Sequence, residues 1–421
     1  MRCRRYNGLV SMTMRATGDI QGMATEIRTT HTGSLPRPER LLQLLHEQET
    51  HSRMDELDYQ FETANREAVF DVVRRQTELG IDLVNDGEMS KMTYATYIKD
   101  RLDGFNGPLA QQNVFGADLL DFPAFMDRAR EGQTRMRVDR PACDGPISYR
   151  STDQVERDLA NLRDALAAVG KQPADAFVTA ASPGVVQLFF LNTYYGSSEA
   201  YLGAIADAMR IEYETIVAAG FNLQIDCPDL AGGINYVTAP GFVPVELTEF
   251  RRHVALCIDA LNSAVANIPA GQMRLHICWG NYEGPHHRDL PISAVLDLVL
   301  AAKPLGLSFE AANPRHAHEW VTFQETAIPD DKVLIPGMID SCTNYIEHPE
   351  LIAQRLVQFA NIVGADRVIG GTDCGLSSVA GVSRVDEEIA WAKLGSLVEG
   401  AQLARDTIRR RSAGTSVQSN V

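Results

Sequence analysis

His276 and Cys278 stand two residues apart in the run Arg274-Leu275-His276-Ile277-Cys278, a spacing that turns both side chains to one face of an extended strand. Glu310 follows the apolar run Leu307-Ser308-Phe309, and Cys374 follows Gly370-Gly371-Thr372-Asp373. One imidazole, two thiols and a carboxylate make a tetrahedral donor set for zinc, and two soft sulfurs favour Zn2+ over magnesium. Each residue also has an ordinary reading. A lone cysteine in a strand is usually a small buried hydrophobe, and a lone histidine is usually a hydrogen-bonded structural group. Glu310 resists that reading, because a buried carboxylate needs partners. Cys227 and Cys342 are spare thiols in comparable positions, whereas His286, His287, His316 and His318 sit near Pro285 or Pro314 and read as loop residues. Among these, His316 is the one to watch, for its closeness to Glu310.

The elements that must carry these groups repeat along the chain. Apolar runs at 27–30, 81–85, 176–180, 223–226, 274–278, 306–310, 332–336 and 367–371 read as strands. Amphipathic stretches at 55–79, 155–169, 198–219, 247–267, 292–302, 349–363 and 387–409 read as helices between them. Alternating strands and helices imply a parallel sheet, and eight such units predict closure into a (β/α)8 TIM barrel. The stretch 104–148, rich in Gly, Pro and Phe, breaks the rhythm and reads as a β-rich insertion between strands 2 and 3. An open doubly wound sheet is the alternative, but Gly370-Gly371-Thr372-Asp373-Cys374 is no dinucleotide fingerprint. Barrel active sites lie at the C-terminal strand ends. Here those ends carry Ser34, Glu88, Asp226 and Asp229, His276 and Cys278, Glu310, Asp340 and Cys374.

Bulk properties narrow the function class. With 421 residues, 45% hydrophobic and 22% charged, the chain has the make-up of a globular enzyme able to bury a large core. No stretch of eighteen apolar residues occurs, so no membrane partner is expected. A net charge of -16 without a long basic run argues against nucleic acid. Seven scattered cysteines fit a reducing, cytoplasmic setting better than a disulfide framework. Residues 1–22 read as a disordered or non-native extension before Met23, 23–410 as one catalytic barrel, and 411–421 as a flexible tail. A homo-oligomer is compatible with all of this.

From about Thr29 to Ala404 the chain resembles the catalytic half of the cobalamin-independent methionine synthase family and its short single-barrel relatives. The matching pieces are Gly33-Ser34-Leu35-Pro36-Arg37, Gly87-Glu88, Gln224-Ile225-Asp226-Cys227-Pro228, His276-Ile277-Cys278, Glu310, Gly337-Met338-Ile339-Asp340 and Asp373-Cys374-Gly375-Leu376. The resemblance implies zinc ligation by His276, Cys278, Glu310 and Cys374. It also implies that Ser34, Glu88 and Asp340 hold the amino-acid end of a homocysteine-like thiol. Two departures stand out: Cys227 replaces an acidic residue, and Cys342 replaces a histidine that assists the leaving group. The reading is a zinc-dependent methyl or alkyl transfer from a small-molecule donor to a thiol, with Asp226, Asp229 and Asp340 as acids that protonate the leaving group or orient the donor. Addition of a thiol to an epoxide, as in the similar epoxyalkane:coenzyme M transferases, is the alternative, and metal-dependent hydrolysis ranks below both.

Overall fold

Six strands of the central sheet, four to seven residues long, are buried at every position, as parallel strands covered by helices require, and the seventh is the two-residue Arg28–Thr29. The computed structural model describes residues 26–50, 55–109, 115–131, 138–237, 245–382 and 384–418. The strands are β1 (Arg28–Thr29), β2 (Phe177–Ala181), β3 (Asn222–Asp226), β4 (Met273–His276), β5 (Gly306–Phe309), β6 (Val333–Ile339) and β7 (Ile369–Thr372). They form one seven-stranded parallel sheet in the order β1-β7-β6-β5-β4-β3-β2.

The sheet curls, and its two edges meet through residues 83–84. The Leu83 N–H donates to the Thr29 carbonyl at 3.0 Å, the Val84 N–H to Asp175 at 3.1 Å, and the Phe177 N–H to Val84 at 3.0 Å. This junction is shorter than the expected strand at 81–85. Leu83, Val333, Ile335 and Ile369 form a small apolar cluster of their own, drawn from the junction, β6 and β7. Above them Arg274 is 1% exposed, donating to Gln224 Oε1, Thr30 Oγ1 and the His31 carbonyl at 2.7 to 2.9 Å. Burial pulls its pKa down to about 9.

Helices Asp55–Leu79, Asp153–Ala168, Ser198–Ala218, Leu247–Ala264, Pro349–Val363 and Glu387–Gln418 bury apolar stripes in the main core. The last of them continues past Arg411 to Gln418, where a flexible tail was expected. Residues 1–22, expected as an extension, lie outside the described residues. Between the 83–84 junction and β2, where the insertion was expected, the described residues hold two-residue strands (Phe115–Gly116, Ser148–Tyr149), a 3-10 turn (Ala117–Asp121) and a helix (Pro123–Glu131). Helical and extended pieces are therefore mixed where a β-rich segment was expected, and residues 110–114 and 132–137 of it lie outside the described residues. Among the described residues no helix is long and apolar enough to cross a membrane.

Candidate metal and substrate site

Strand register puts the polar ends together. Ala181 pairs with Asp226, Asp226 with His276, and His276 with Ser308, so one transverse row at the C-terminal ends carries a carboxylate, an imidazole and a hydroxyl. β4 stops at His276, so Cys278 lies two residues beyond the strand rather than on it. The two residues nevertheless converge. One ligand atom from each of His276, Cys278 and Cys374 lies within 4.8 Å of the other two, and all three residues are buried. Cys278 Sγ is 3.0 Å from Cys374 Sγ, which is 3.7 Å from His276 Nε2 and 3.7 Å from Glu310 Oε1. The four residues expected as ligands thus face one another.

Their surroundings set their protonation. Burial, reinforced by Arg274, drives the His276 pKa down to about 3, so its ring is neutral. Ser308 Oγ sits 3.2 Å from His276 Nδ1, leaving Nε2 for the cluster. Glu310 Oε1 accepts the Trp279 N–H at 3.0 Å, and Oε2 accepts Asn313 Nδ2 at 2.7 Å. Burial raises the Glu310 pKa. The hydrogen bond with Cys278, together with burial, raises the Cys374 pKa well above the usual thiol range. For Cys278 the hydrogen bond with Cys374 lowers the pKa, but burial and Glu310 outweigh it and leave the pKa raised. Two thiols and a carboxylate this close resist ionising together unless a cation compensates them, and their softness matches zinc.

A cavity of about 50 Å³ opens on the cluster and is lined also by Ser34, Glu88, Asp226 and Asn281. Glu88 is 2% exposed with a left-handed backbone (φ 57), and its Oε2 has no hydrogen-bond partner among the described residues. Arg37 fixes this turn by donating to the Glu88 and Lys91 carbonyls at 2.7 and 2.9 Å and to the Ser377 carbonyl at 2.8 Å. Asp226 accepts from Gln224 Nε2 at 2.7 Å, and burial, with Glu88 nearby, raises its pKa well above the carboxylate range.

Two expected acids stand elsewhere. Asp229 accepts from Ser182 Oγ at 2.7 Å beneath the N-terminus of the helix Pro183–Phe189 and is not among the residues lining the cavity. Asp340 is half-buried just past β6, where the register shifts between Gly337 and Ile339, and does not line the cavity either. Its Oδ1 accepts the Cys342 N–H at 2.7 Å. Cys227 is fully buried in the core, and Cys342 lies 3.2 Å from Asn281 Oδ1.

Asn281 went unnoticed in the sequence. It donates to the Gly375 carbonyl at 2.8 Å and to Ser378 Oγ at 2.5 Å while accepting from Ser341 Oγ at 3.0 Å, joining three loops over the cavity. Asp373 was seen only as part of a motif. It accepts the N–H groups of Ala311, Ala312 and Asn313, each at 2.8 Å, and so sets the loop behind Glu310. His316 is buried between Asp289 and Glu319 and tilted against Trp279. A larger cavity, about 660 Å³ and bounded by Lys91, Tyr97, Arg101 and Asp158, holds none of the four clustered groups. Its deepest charges are already paired, Arg101 with Asp158 and Glu212.

No family model matches the chain. It is 23% identical to the methionine synthase of Saccharolobus solfataricus over 388 residues, 91% of this chain and 96% of that protein. It is 24% identical to the methionine synthase of Thermococcus kodakarensis, over 91% of this chain and 94% of the other. The structure of a B12-independent methionine synthase from Shewanella sp. W3-18-1, in complex with selenomethionine, superposes with a TM-score of 0.66 at 21% identity, covering 91% of this chain and 99% of that one. The resemblance read from short motifs therefore extends over nearly the whole length.

Proposed function

We propose that this chain is a methionine-synthase-like enzyme. It transfers a methyl or alkyl group to a thiol such as homocysteine, on a closed eight-stranded barrel whose eighth strand is the 83–84 junction. The observation that carries the reading is the convergence of His276, Cys278 and Cys374 within 4.8 Å, on a cavity also lined by Glu88, whose Oε2 has no hydrogen-bond partner among the described residues. Similarity to methionine synthases supports the same reaction class, and addition of a thiol to an epoxide is not favoured.

His276 Nε2, Cys278 Sγ, Cys374 Sγ and a Glu310 oxygen are the groups that would hold zinc. Zinc, when bound, stabilises a coordinated thiol as a thiolate at neutral pH, where an ordinary thiol with pKa about 8.5 is mostly protonated. The protein groups do the rest. Ser308 holds the His276 ring, and Asn313 with the Trp279 N–H holds Glu310. Glu88 offers a buried carboxylate to the substrate ammonium, and Ser34 lies on the same wall. Asp226, a carboxyl on the cavity wall whose pKa burial and Glu88 raise, is the acid offered to a leaving group. Asp229 and Asp340 act through structure rather than on the reacting atoms, given their places outside the cavity.

The reading is tested by measuring zinc per monomer and methyl transfer to homocysteine in the wild-type chain and in Cys374→Ala. About one zinc with transfer activity, both lost in the variant, is expected. A wild-type chain without zinc, or a variant with full metal and full rate, would refute it.

A further inference from the structure

We propose that Asp118, in the segment between the 83–84 junction and β2, is a positioning residue for the Cys278 thiolate; this rests on the zinc reading above. Asp118 is 0% exposed, an expensive place for a carboxylate unless its hydrogen bonds are well used. Its Oδ1 accepts the Tyr282 hydroxyl and its Oδ2 accepts the His286 N–H, each at 2.7 Å. Both partners belong to the loop that starts at Cys278, more than 160 residues away in sequence.

The contacts run without a gap to the sulfur. The Tyr282 ring lies against Gly280, where an added Cβ would stand 2.8 Å from the ring. Gly280 has φ +121, a backbone that glycine adopts and other residues resist. Its N–H donates to Cys278 Sγ at 3.2 Å, so the place of the tyrosine ring governs the direction of an N–H aimed at that sulfur. Gly116 completes the fit, since a Cβ there would come within 2.4 Å of the Tyr282 hydroxyl oxygen. His286 stacks on the tyrosine at 4.1 Å between ring centroids, and its ring is 2.7 Å from Asp289.

Simple docking of the segment does not need a buried acid. Asp121 already ties the same turn to Arg288 and His287 at the surface, at 2.5 to 2.8 Å. What Asp118 adds is a fixed Tyr282, hence a fixed N–H donor to a metal-ligating sulfur. Groups one step behind metal ligands typically change affinity by 10- to 100-fold.

The test uses the full chain in four forms: wild type, Asp118→Asn, Tyr282→Phe and Asp121→Ala. Zinc affinity is measured by chelator competition, and the cobalt(II)-substituted proteins are compared by their thiolate-to-metal charge-transfer band. Asp118→Asn removes the charge and leaves one acceptor oxygen where the Tyr282 hydroxyl and the His286 N–H now have two, and Tyr282→Phe removes a single hydroxyl. Both should weaken zinc binding about tenfold and shift the band, while Asp121→Ala matches wild type. Wild-type affinity and band in both Asp118→Asn and Tyr282→Phe would overturn the proposal. So would an equal loss in Asp121→Ala, which would reduce Asp118 to docking. Should Asp118→Asn fail to fold, Tyr282→Phe decides alone. A wild-type chain that binds neither metal would instead overturn the zinc reading itself, before any substitution is compared.

Discussion

Glu88 combines two costs in one residue: a left-handed backbone and a buried carboxylate oxygen without a partner among the described residues. Both are tolerable if a ligand supplies the missing donor. On the reading proposed here that donor is the ammonium of an amino-acid thiol. A hydrogen bond to a charged group is worth about 1.5–3 kcal/mol. Glu88→Gln should therefore raise the KM for homocysteine roughly 10- to 100-fold. The same substitution should leave 4-mercaptobutanoate, which has the thiol and lacks the ammonium, close to its wild-type KM. Equal losses on both thiols would show that Glu88 shapes the turn and does not meet the ammonium.

Among the elements, the short helix Pro183–Phe189 illustrates how a buried acid can serve structure. Ser182 caps it by accepting the Val185 N–H at 2.9 Å, and Asp229 orients that hydroxyl. Burial, only partly opposed by Ser182, holds the Asp229 pKa at about 6 against an ordinary 3.8. The folded chain therefore takes up this proton more readily than the unfolded chain. Below about pH 4 both states hold it and there is no penalty; above about pH 6 both have lost it and the penalty is complete. Stability from this group thus falls as pH rises through that window, by up to about 3 kcal/mol. Asp229→Asn keeps the hydrogen bond and removes the charge. Denaturant unfolding of the variant should lack that fall between pH 4 and 6; a pH dependence equal to wild type would contradict the assignment.

For the molecule as a whole, the clustered His276, Cys278 and Cys374 come from the ends of β4 and β7 and Glu310 beside them from the end of β5, so a bound metal would tie together elements spread along the chain. Such an ion binds the folded state alone and stabilises it by about 4 kcal/mol when free metal exceeds Kd a thousandfold. Chelation should accordingly lower the Tm, and zinc, unlike magnesium, should restore it. A Tm indifferent to chelator would mean that no metal links these strands.

The sequence by itself determined the repeating strand and helix units and the polar groups at the strand ends, because periods of 2 and 3.6 are local and survive any tertiary arrangement. His276, Cys278, Glu310 and Cys374 could be picked out as candidates for the same reason: each stands at or shortly after the end of an expected strand. Only the tertiary structure decided which groups meet. Cys278 and Cys374 are 96 residues apart and touch because the sheet curls. Asp226 and Asp229, three residues apart, part company because the chain turns at Pro228, sending the first to the cavity and the second beneath a helix. Ser308 became a partner of His276 only through strand register, and Asp118 reached Tyr282 only because the segment that carries it packs on a loop 164 residues away. Local pattern chooses the element and the side chain's exposure; closure and register choose its neighbours, and chemistry depends on neighbours.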